Sequence, residues 1–266
     1  SYNIETNTFT LNNPTKTGYT FAGWTGSNGT TKQTNVSISK GSTGNKSYTA
    51  NWTPINYTIT YNLNGGSASN PSSYNIETNT FTLSNPTKTG YTFTGWTGSN
   101  GSTKQTSVSI TKGSTGNKSY TANYSINQYD VTYIDVVDST SGTQLGKTTK
   151  KVNYNSTVRG SDLGSNTSDN AYYNGYYYSS DTSATVSTSG ATVYRIFKLR
   201  TIDKTSNLTW NDNNNKNGFR PSKYTLKLIR NGTLFKQVEL TSSQTSYTFS
   251  NLTKYDSNGK AYVYTF

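Results

Sequence analysis

The chain has 266 residues, with 24 Lys and Arg against 12 Asp and Glu, and contains no His, Cys or Met. Without His or Cys there is no Ser–His or Cys–His nucleophile pair, no ordinary zinc site and no haem or iron–sulfur ligation. Ser, Thr and Asn supply 118 residues while Leu, Ile, Val and Phe supply only 43, a share low enough that disorder is the first expectation.

The 23 Tyr and 4 Trp reverse that expectation. They bring large apolar bodies that the aliphatic count omits, and they point to folded β-modules with small cores and polar faces. The net charge of +12 is spread as single lysines, with no Arg cluster and no continuous basic run. These read as solvated side chains on loops and strand edges, weak attraction to mucins or anionic cell-wall polymers being the alternative; no specific nucleic-acid partner is expected. No apolar run is long enough to cross a bilayer, so no membrane insertion is expected in this segment. The first residue is Ser rather than Met, so any targeting segment is expected to lie outside these residues.

An internal repeat sets the organisation. Residues 1–52 align without gaps with residues 73–124, at an offset of 72, and 46 of the 52 positions are identical. In chain order, Tyr57, Ile59, Tyr61 and Leu63 alternate with polar residues, which predicts a half-buried strand ended by Gly65-Gly66. Short strands are predicted at Phe81 and Leu83, at Tyr91 and Phe93 before Gly95-Trp96, at Val108 and Ile110, and from Tyr120 to Tyr124. The first copy has no counterpart of residues 57–70, so it is predicted to lack its first strand and the chain to begin inside a module. Thr53-Pro54 and Ser125-Ile126 read as short connectors. Further on, Val131 and Tyr133 open a strand and residues 185–199 are β-rich. Tyr224, Leu226 and Leu228 alternate, Asn231-Gly232 signals a hairpin, and strands follow at Val238 and Leu240, at Tyr247 and Phe249, and at Tyr262, Tyr264 and Phe266. The expected modules are 1–53, 54–125, 126–201 and 202–266, and no segment has a sustained helical period.

Three resemblances rest on these residues. The run Tyr57 to Gly66, the segment Asn85-Pro86 to Gly95-Trp96 and the closing Tyr120 to Tyr124 resemble, in that order, the Listeria–Bacteroides repeat, the B-repeat of internalin-type surface proteins. That resemblance covers residues 1–124 and implies a β-grasp-like fold in a secreted, wall-attached bacterial protein. Residues 129–200, with Tyr129 to Asp135, Gly175-Tyr176 and Ala191 to Phe197, resemble the mucin-binding-protein type of β-grasp module. Residues 207–266, with the run Leu208 to Pro221 and then Asn251 to Lys260, resemble the collagen-adhesin B-type (CnaB) domain, an inverse immunoglobulin-like sandwich. Many members of that family carry a Lys–Asn isopeptide crosslink. The resemblance places the lysine two residues before the Trp, where this chain has Leu208, and the acid and Asn after Phe266. No crosslink is therefore expected, Lys204 being about four residues too early.

Candidate sites are few. Asp212 to Gly218 has the look of a calcium loop, but Lys216 falls at a ligand position, and the run reads as an Asn-rich strand connection. Tyr172, Tyr173, Tyr176, Tyr177 and Tyr178 form a candidate platform for glycan contact, with sheet packing as the alternative. Trp24 and Trp96, at equivalent positions, read as core residues. No carboxylate pair stands out for glycoside hydrolysis. No catalytic, cofactor or metal residue is assigned, and the chain is not expected to be an enzyme. The whole reads as mainly β: small β-grasp-like modules followed by an incomplete inverse Ig-like sandwich. The expected role is a non-catalytic stalk of a large adhesin, extracellular and attached to the cell wall of a Gram-positive bacterium. A mucin-binding module, or a fibre subunit completed by strands of neighbouring chains, are the alternatives.

Overall fold

Side-chain alternation fixes the strands, and the computed structural model, which describes residues 1–266, is built almost wholly of them; its helical content is one 3-10 turn, Gly160–Leu163. The chain divides into two units, Ser1–Asn127 and Gln128–Phe266.

The first unit holds β1 (Phe9–Thr10), β2 (Tyr19–Gly26), β3 (Gly29–Gln33), β4 (Ser37–Ile38), β5 (Tyr48–Pro54), β6 (Tyr57–Asn62), β7 (Ser73–Tyr74), β8 (Phe81–Thr82), β9 (Tyr91–Gly98), β10 (Gly101–Gln105), β11 (Ser109–Ile110) and β12 (Lys118–Ile126). In the second repeat the sheet runs β10-β9-β12-β6-β7, with β12 and β6 parallel. First and last long strands thus lie side by side, a β-grasp-like arrangement with no helix. The small β8–β11 ladder takes the covering role: Leu83, Val108 and Ile110 pack with Ile59, Tyr74, Trp96, Tyr120 and Ala122 in one buried cluster. In the first repeat the sheet has three strands, β3-β2-β5, and β1–β4 is its ladder. Of its apolar side chains only Val36 and Ile38 are buried.

A bulge explains the Phe-x-Gly-Trp spacing. In an unbroken strand Phe93 and Trp96 would point to opposite faces. The β9–β12 register passes from Asn123 opposite Gly95 to Tyr124 opposite Phe93, skipping Thr94. That extra residue brings both rings to one face, with centroids 5.4 Å apart. Gly95 sits at φ +136°, and a Cβ there would lie 2.6 Å from the backbone nitrogen of Gln105, so glycine is required. The Asn123 amide stitches the bulge, donating to the Gly95 carbonyl and the Thr97 hydroxyl, each at 3.0 Å. Phe21, Gly23, Trp24 and Asn51 repeat the device.

The second unit holds β13 (Gln128–Val137), β14 (Gln144–Asn153), β15 (Thr157–Arg159), β16 (Tyr176–Asp181), β17 (Ser183–Thr185), β18 (Ala191–Leu199), β19 (Thr201–Asn207), β20 (Lys223–Arg230), β21 (Thr233–Thr241), β22 (Ser246–Thr253) and β23 (Tyr264–Thr265). A mixed sheet, β14-β13-β18-β16, again has a parallel central pair, β13 with β18. Val158 and Val186, from the β15–β17 ladder and its flank, pack with Val131, Tyr133 and Val193. Beyond it β19–β22 faces β21-β20-β23, with Leu228, Phe249, Leu252 and Tyr264 buried together, a two-sheet sandwich. Asn231 and Gly232, at φ +50° and +85°, turn β20 into β21 as the left-handed pair of a tight hairpin.

Two expectations need correction. Thr53-Pro54 and Ser125-Ile126 are not connectors but the ends of β5 and β12, each still paired to its neighbour. The last strand is also shorter than the alternation implies. The Tyr262 N–H is drawn to the Lys254 carbonyl at 2.9 Å, and only Tyr264 and Thr265 pair with β20.

Candidate functional site

The tyrosine cluster is built around a buried ion pair. Asp135 on β13 lies directly opposite Arg195 on β18, both at inward positions. Arg195 Nε and Nη2 donate to the two Asp135 oxygens, each at 2.7 Å, and the two residues are 7% and 5% exposed. Arg195 Nη1 donates to the carbonyls of Leu163 and Gly164, at 3.0 and 3.2 Å, so the pair anchors the loop after the 3-10 turn. Such a pair is tolerated because its remaining hydrogen-bonding capacity is met.

The tyrosines fit around it. The Tyr173 hydroxyl donates to Asp135 Oδ2 at 2.5 Å. Burial, reinforced by that hydrogen bond, pushes its pKa up to about 12, so the phenol stays a donor. The Tyr172 ring faces the Arg195 guanidinium at 4.5 Å. Tyr172, Tyr173 and Tyr178 meet Phe197 edge to face at 5.7, 5.1 and 6.2 Å. Tyr177 lies against the Arg200 guanidinium at 3.9 Å, and Tyr176 pairs with Leu199 in the β16–β18 ladder. The five rings are half-buried. They share one loop and strand but form no single flat platform, because three converge on Phe197 and one turns to Arg200.

A second constellation has no counterpart in the sequence reading. Asp169, in the loop before β16, accepts hydrogen bonds from Arg200 Nε at 2.5 Å, Lys254 Nζ at 2.9 Å and the Tyr255 hydroxyl at 2.8 Å. Arg200 follows β18, whereas Lys254 and Tyr255 follow β22, so one carboxylate ties the mixed sheet to the sandwich. Asn174 Nδ2 adds a bond to the Ser257 carbonyl at 3.2 Å. The Lys254 ammonium first, then Tyr255 and Arg200, hold the Asp169 pKa down to about 2. The only sequence cue was a lone acid in a Ser/Thr/Asn-rich loop.

At 212–218 the Asp212 carboxylate is occupied by protein. Arg220 Nε and Nη2 donate to its oxygens at 2.7 and 2.6 Å, and that guanidinium holds the Asp212 pKa below its usual value. Asn213, Asn214 and Asn215 are all left-handed, at φ +50° to +62°. Leu208 follows β19, half-buried, with its N–H on the Thr245 carbonyl at 2.8 Å. Lys204 lies opposite Phe249 in the β19–β22 ladder.

The two repeats also meet directly. Gly18, at φ +76°, packs under Ile76: a Cβ at Gly18 would lie 2.5 Å from Ile76 Cδ1. The Tyr19 hydroxyl donates to Glu77 Oε1 at 2.9 Å; the Gly18 carbonyl beneath Ile76 accepts the Ile55 N–H at 3.0 Å, which continues the β2–β5 pairing as Asn127 and Gly90 do in the second repeat.

Comparison with known proteins gives two family matches, each over part of the chain. Residues 1–50 and 57–128 match the Listeria-Bacteroides repeat domain, and residues 202–266 match the Cna protein B-type domain. No curated protein matches the chain. Among solved structures, the chain is similar to two B repeat units of the collagen binding protein of Staphylococcus aureus, at 16% identity and a TM-score of 0.28, over 61% of this chain and 52% of that one. It is also similar to a single B repeat unit of the same protein, at 16% identity and a TM-score of 0.24, over 52% of this chain and 83% of that one. The chain is thus similar to the Listeria-Bacteroides repeat domain over two tandem stretches and, at its C-terminal end, to the Cna protein B-type domain.

Proposed function

We propose that the chain is a non-catalytic spacer in the stalk of a large bacterial cell-surface adhesin, attached to the wall of a Gram-positive cell and holding a distal binding region away from it. The observation that carries this reading is the joint between the repeats, where near-identical modules abut through Gly18, Tyr19, Ile76 and Glu77 with strand rather than linker between them. Such modules extend reach by repetition, each one requiring only contacts with its neighbours. Surface lysines and hydroxyls keep the faces wet, and the families present are adhesin and structural repeats.

The test is to display the chain on a bacterial surface between an anchor and a tip of known ligand, and to measure adhesion to that ligand placed beneath a polymer brush. Deleting one 72-residue repeat should weaken adhesion through the brush and leave binding to the uncovered ligand unchanged. Adhesion independent of repeat number would overturn the reading, as would retention of mucin or glycan by the chain without its tip.

A further inference from the structure

The knuckle that carries Ile76 and Glu77 occurs twice. Residues 1–7 and 73–79 are identical in sequence, and they fold alike. Asn3 Oδ1 accepts the Glu5 N–H and Asn75 Oδ1 accepts the Glu77 N–H, both at 3.0 Å. The Gly41 N–H reaches the Ile4 carbonyl, and the Gly113 N–H the Ile76 carbonyl, both at 3.0 Å. The knuckle is thus held by its own repeat, in the same shape, at both places.

Only its surroundings differ. Ile76 is half-buried against Gly18, with Glu77 bound to Tyr19. Ile4 is 55% exposed and Glu5 is exposed beside it. An exposed isoleucine next to a carboxylate, with its backbone already tied down, is a preformed half of a contact whose other half is visible in the same molecule.

We infer that the Ile4–Glu5 knuckle is a docking surface for the glycine–tyrosine hairpin of another repeat of this kind. The occupant is defined by the contact seen at Ile76. It needs a left-handed glycine with no side chain beneath the isoleucine, then a tyrosine whose hydroxyl reaches the carboxylate. Residues 16–19, Lys-Thr-Gly-Tyr, meet this, and Lys16 braces the Tyr19 ring from 3.9 Å. The two surfaces differ, so the contact is head to tail and propagates along a row instead of closing a pair. It is small and forms because adjacent repeats share one chain, at high effective concentration. This reading follows from the joint alone and does not depend on the spacer role.

The experiment lengthens the chain. A further copy of residues 1–72 is placed in frame ahead of Ser1, and amide exchange is followed at the Ile55 N–H, whose acceptor is the Gly18 carbonyl that the isoleucine covers. In the 266-residue chain, Ile76→Asp should speed exchange at Ile55 by about tenfold while Ile4→Asp leaves it unchanged. In the lengthened chain, Ile4→Asp should speed exchange at the new joint by a similar factor, and Glu5→Lys, which leaves the isoleucine in place, should do so in part. Both positions lie outside the buried clusters, so the variants fold. No change at the new joint with Ile4→Asp would overturn the inference, as would an equal effect of Ile4→Asp and Ile76→Asp in the original chain. Adhesion through the brush that is independent of repeat number, with these exchange results intact, would instead count against the spacer role alone.

Discussion

Trp24 and Trp96 place one side chain, in nearly the same local sequence, at two depths. Trp96 is fully buried, at 0% exposure. Tyr61 of β6 lies 6.0 Å from its ring and Tyr120 of β12 lies 6.3 Å away, with Phe93 beneath at 5.4 Å. Trp24 has Phe21 at 5.4 Å and Tyr48 at 6.3 Å but no β6 equivalent beside it, and it remains half-buried. Truncating a fully buried Trp to Ala costs about 3–5 kcal/mol, against a domain stability of about 5–15 kcal/mol. Trp96→Ala should therefore remove about a fifth or more of the stability of the second repeat. Trp24→Ala should cost less, about 1–3 kcal/mol, because part of the ring already meets water. The Trp96 indole N–H is buried without a hydrogen-bond partner. Trp96→Phe deletes that unsatisfied donor, worth about 1–3 kcal/mol of penalty, and should cost well under Trp96→Ala. Native-state hydrogen exchange with mass spectrometry, reading peptides of residues 1–54 and 57–126 separately, measures each repeat in the intact chain. Equal losses at the two tryptophans would refute the reasoning, since β6 would then contribute nothing to burial of the ring.

Other outcomes are equally specific. Arg195→Met alone strands the Asp135 carboxylate and should cost about 3–5 kcal/mol, while Arg195→Met with Asp135→Leu should recover most of it; urea midpoints for the singles that simply add in the double variant would exclude a coupled pair. Gly95→Ala, forced to φ +136° with its Cβ 2.6 Å from Gln105 N, should cost more than about 1 kcal/mol and raise exchange across β9 and β10. Asp169 has its folded pKa lowered to about 2 from 3.8, so its contribution is present above pH ~4 and is lost as pH falls through ~2. Chemical shifts of Lys254 and Tyr255 should titrate near the lower value and cease to do so in Asp169→Asn; a midpoint near the ordinary carboxylate value would disprove the clamp. In a chain extended past Phe266, where the resemblance places the acid and Asn, Leu208 offers no amine and intact mass should equal that of the sequence; loss of one ammonia with the link mapped to Lys204 would show that the reactive lysine was misplaced.

What was legible in the sequence follows from how local its cause is. Tyr57 to Leu63 and Tyr224 to Leu228 declare half-buried strands because alternation is a property of neighbouring residues. The strand Gly101–Gln105, all polar and exposed, declares nothing; it exists because the β9 edge offers hydrogen bonds. Lys147, Lys150 and Lys151 likewise hide the edge strand β14, where lysines discourage pairing with other chains. The Asp135–Arg195 pair was partly readable. Asp135 falls in step with Val131 and Tyr133, and Arg195 in step with Val193 and Phe197, so opposite charges sit on the inward face of two apolar strands. The parallel register that places them opposite each other comes only with the fold. Asp169 was unreadable, since its partners lie 31, 85 and 86 residues away.

The polar composition that first suggests disorder is what makes these small modules fold. Nine non-glycine residues have positive φ, and eight of them are Asn. The Asn side chain tolerates the left-handed region better than other L-residues do. Turns such as Asn64-Gly65 and Asn231-Gly232 are thereby set with little strain. Asn51 and Asn123 instead use their amides to close bulges that turn two aromatic rings to one face. The rings then do the work that aliphatic residues perform in larger cores: Trp96, Tyr61, Tyr120 and Phe93 enclose one another in the second repeat. Turn residues and rings depend on each other, because without the bulge Phe93 and Trp96 would lie on opposite faces. A chain of this kind keeps a hydrated surface while each module's stability rests on a handful of positions. Replacing an outward Ser or Thr at the tip of a loop should therefore be nearly neutral, whereas replacing Gly95 or Asn123 should act on the whole module.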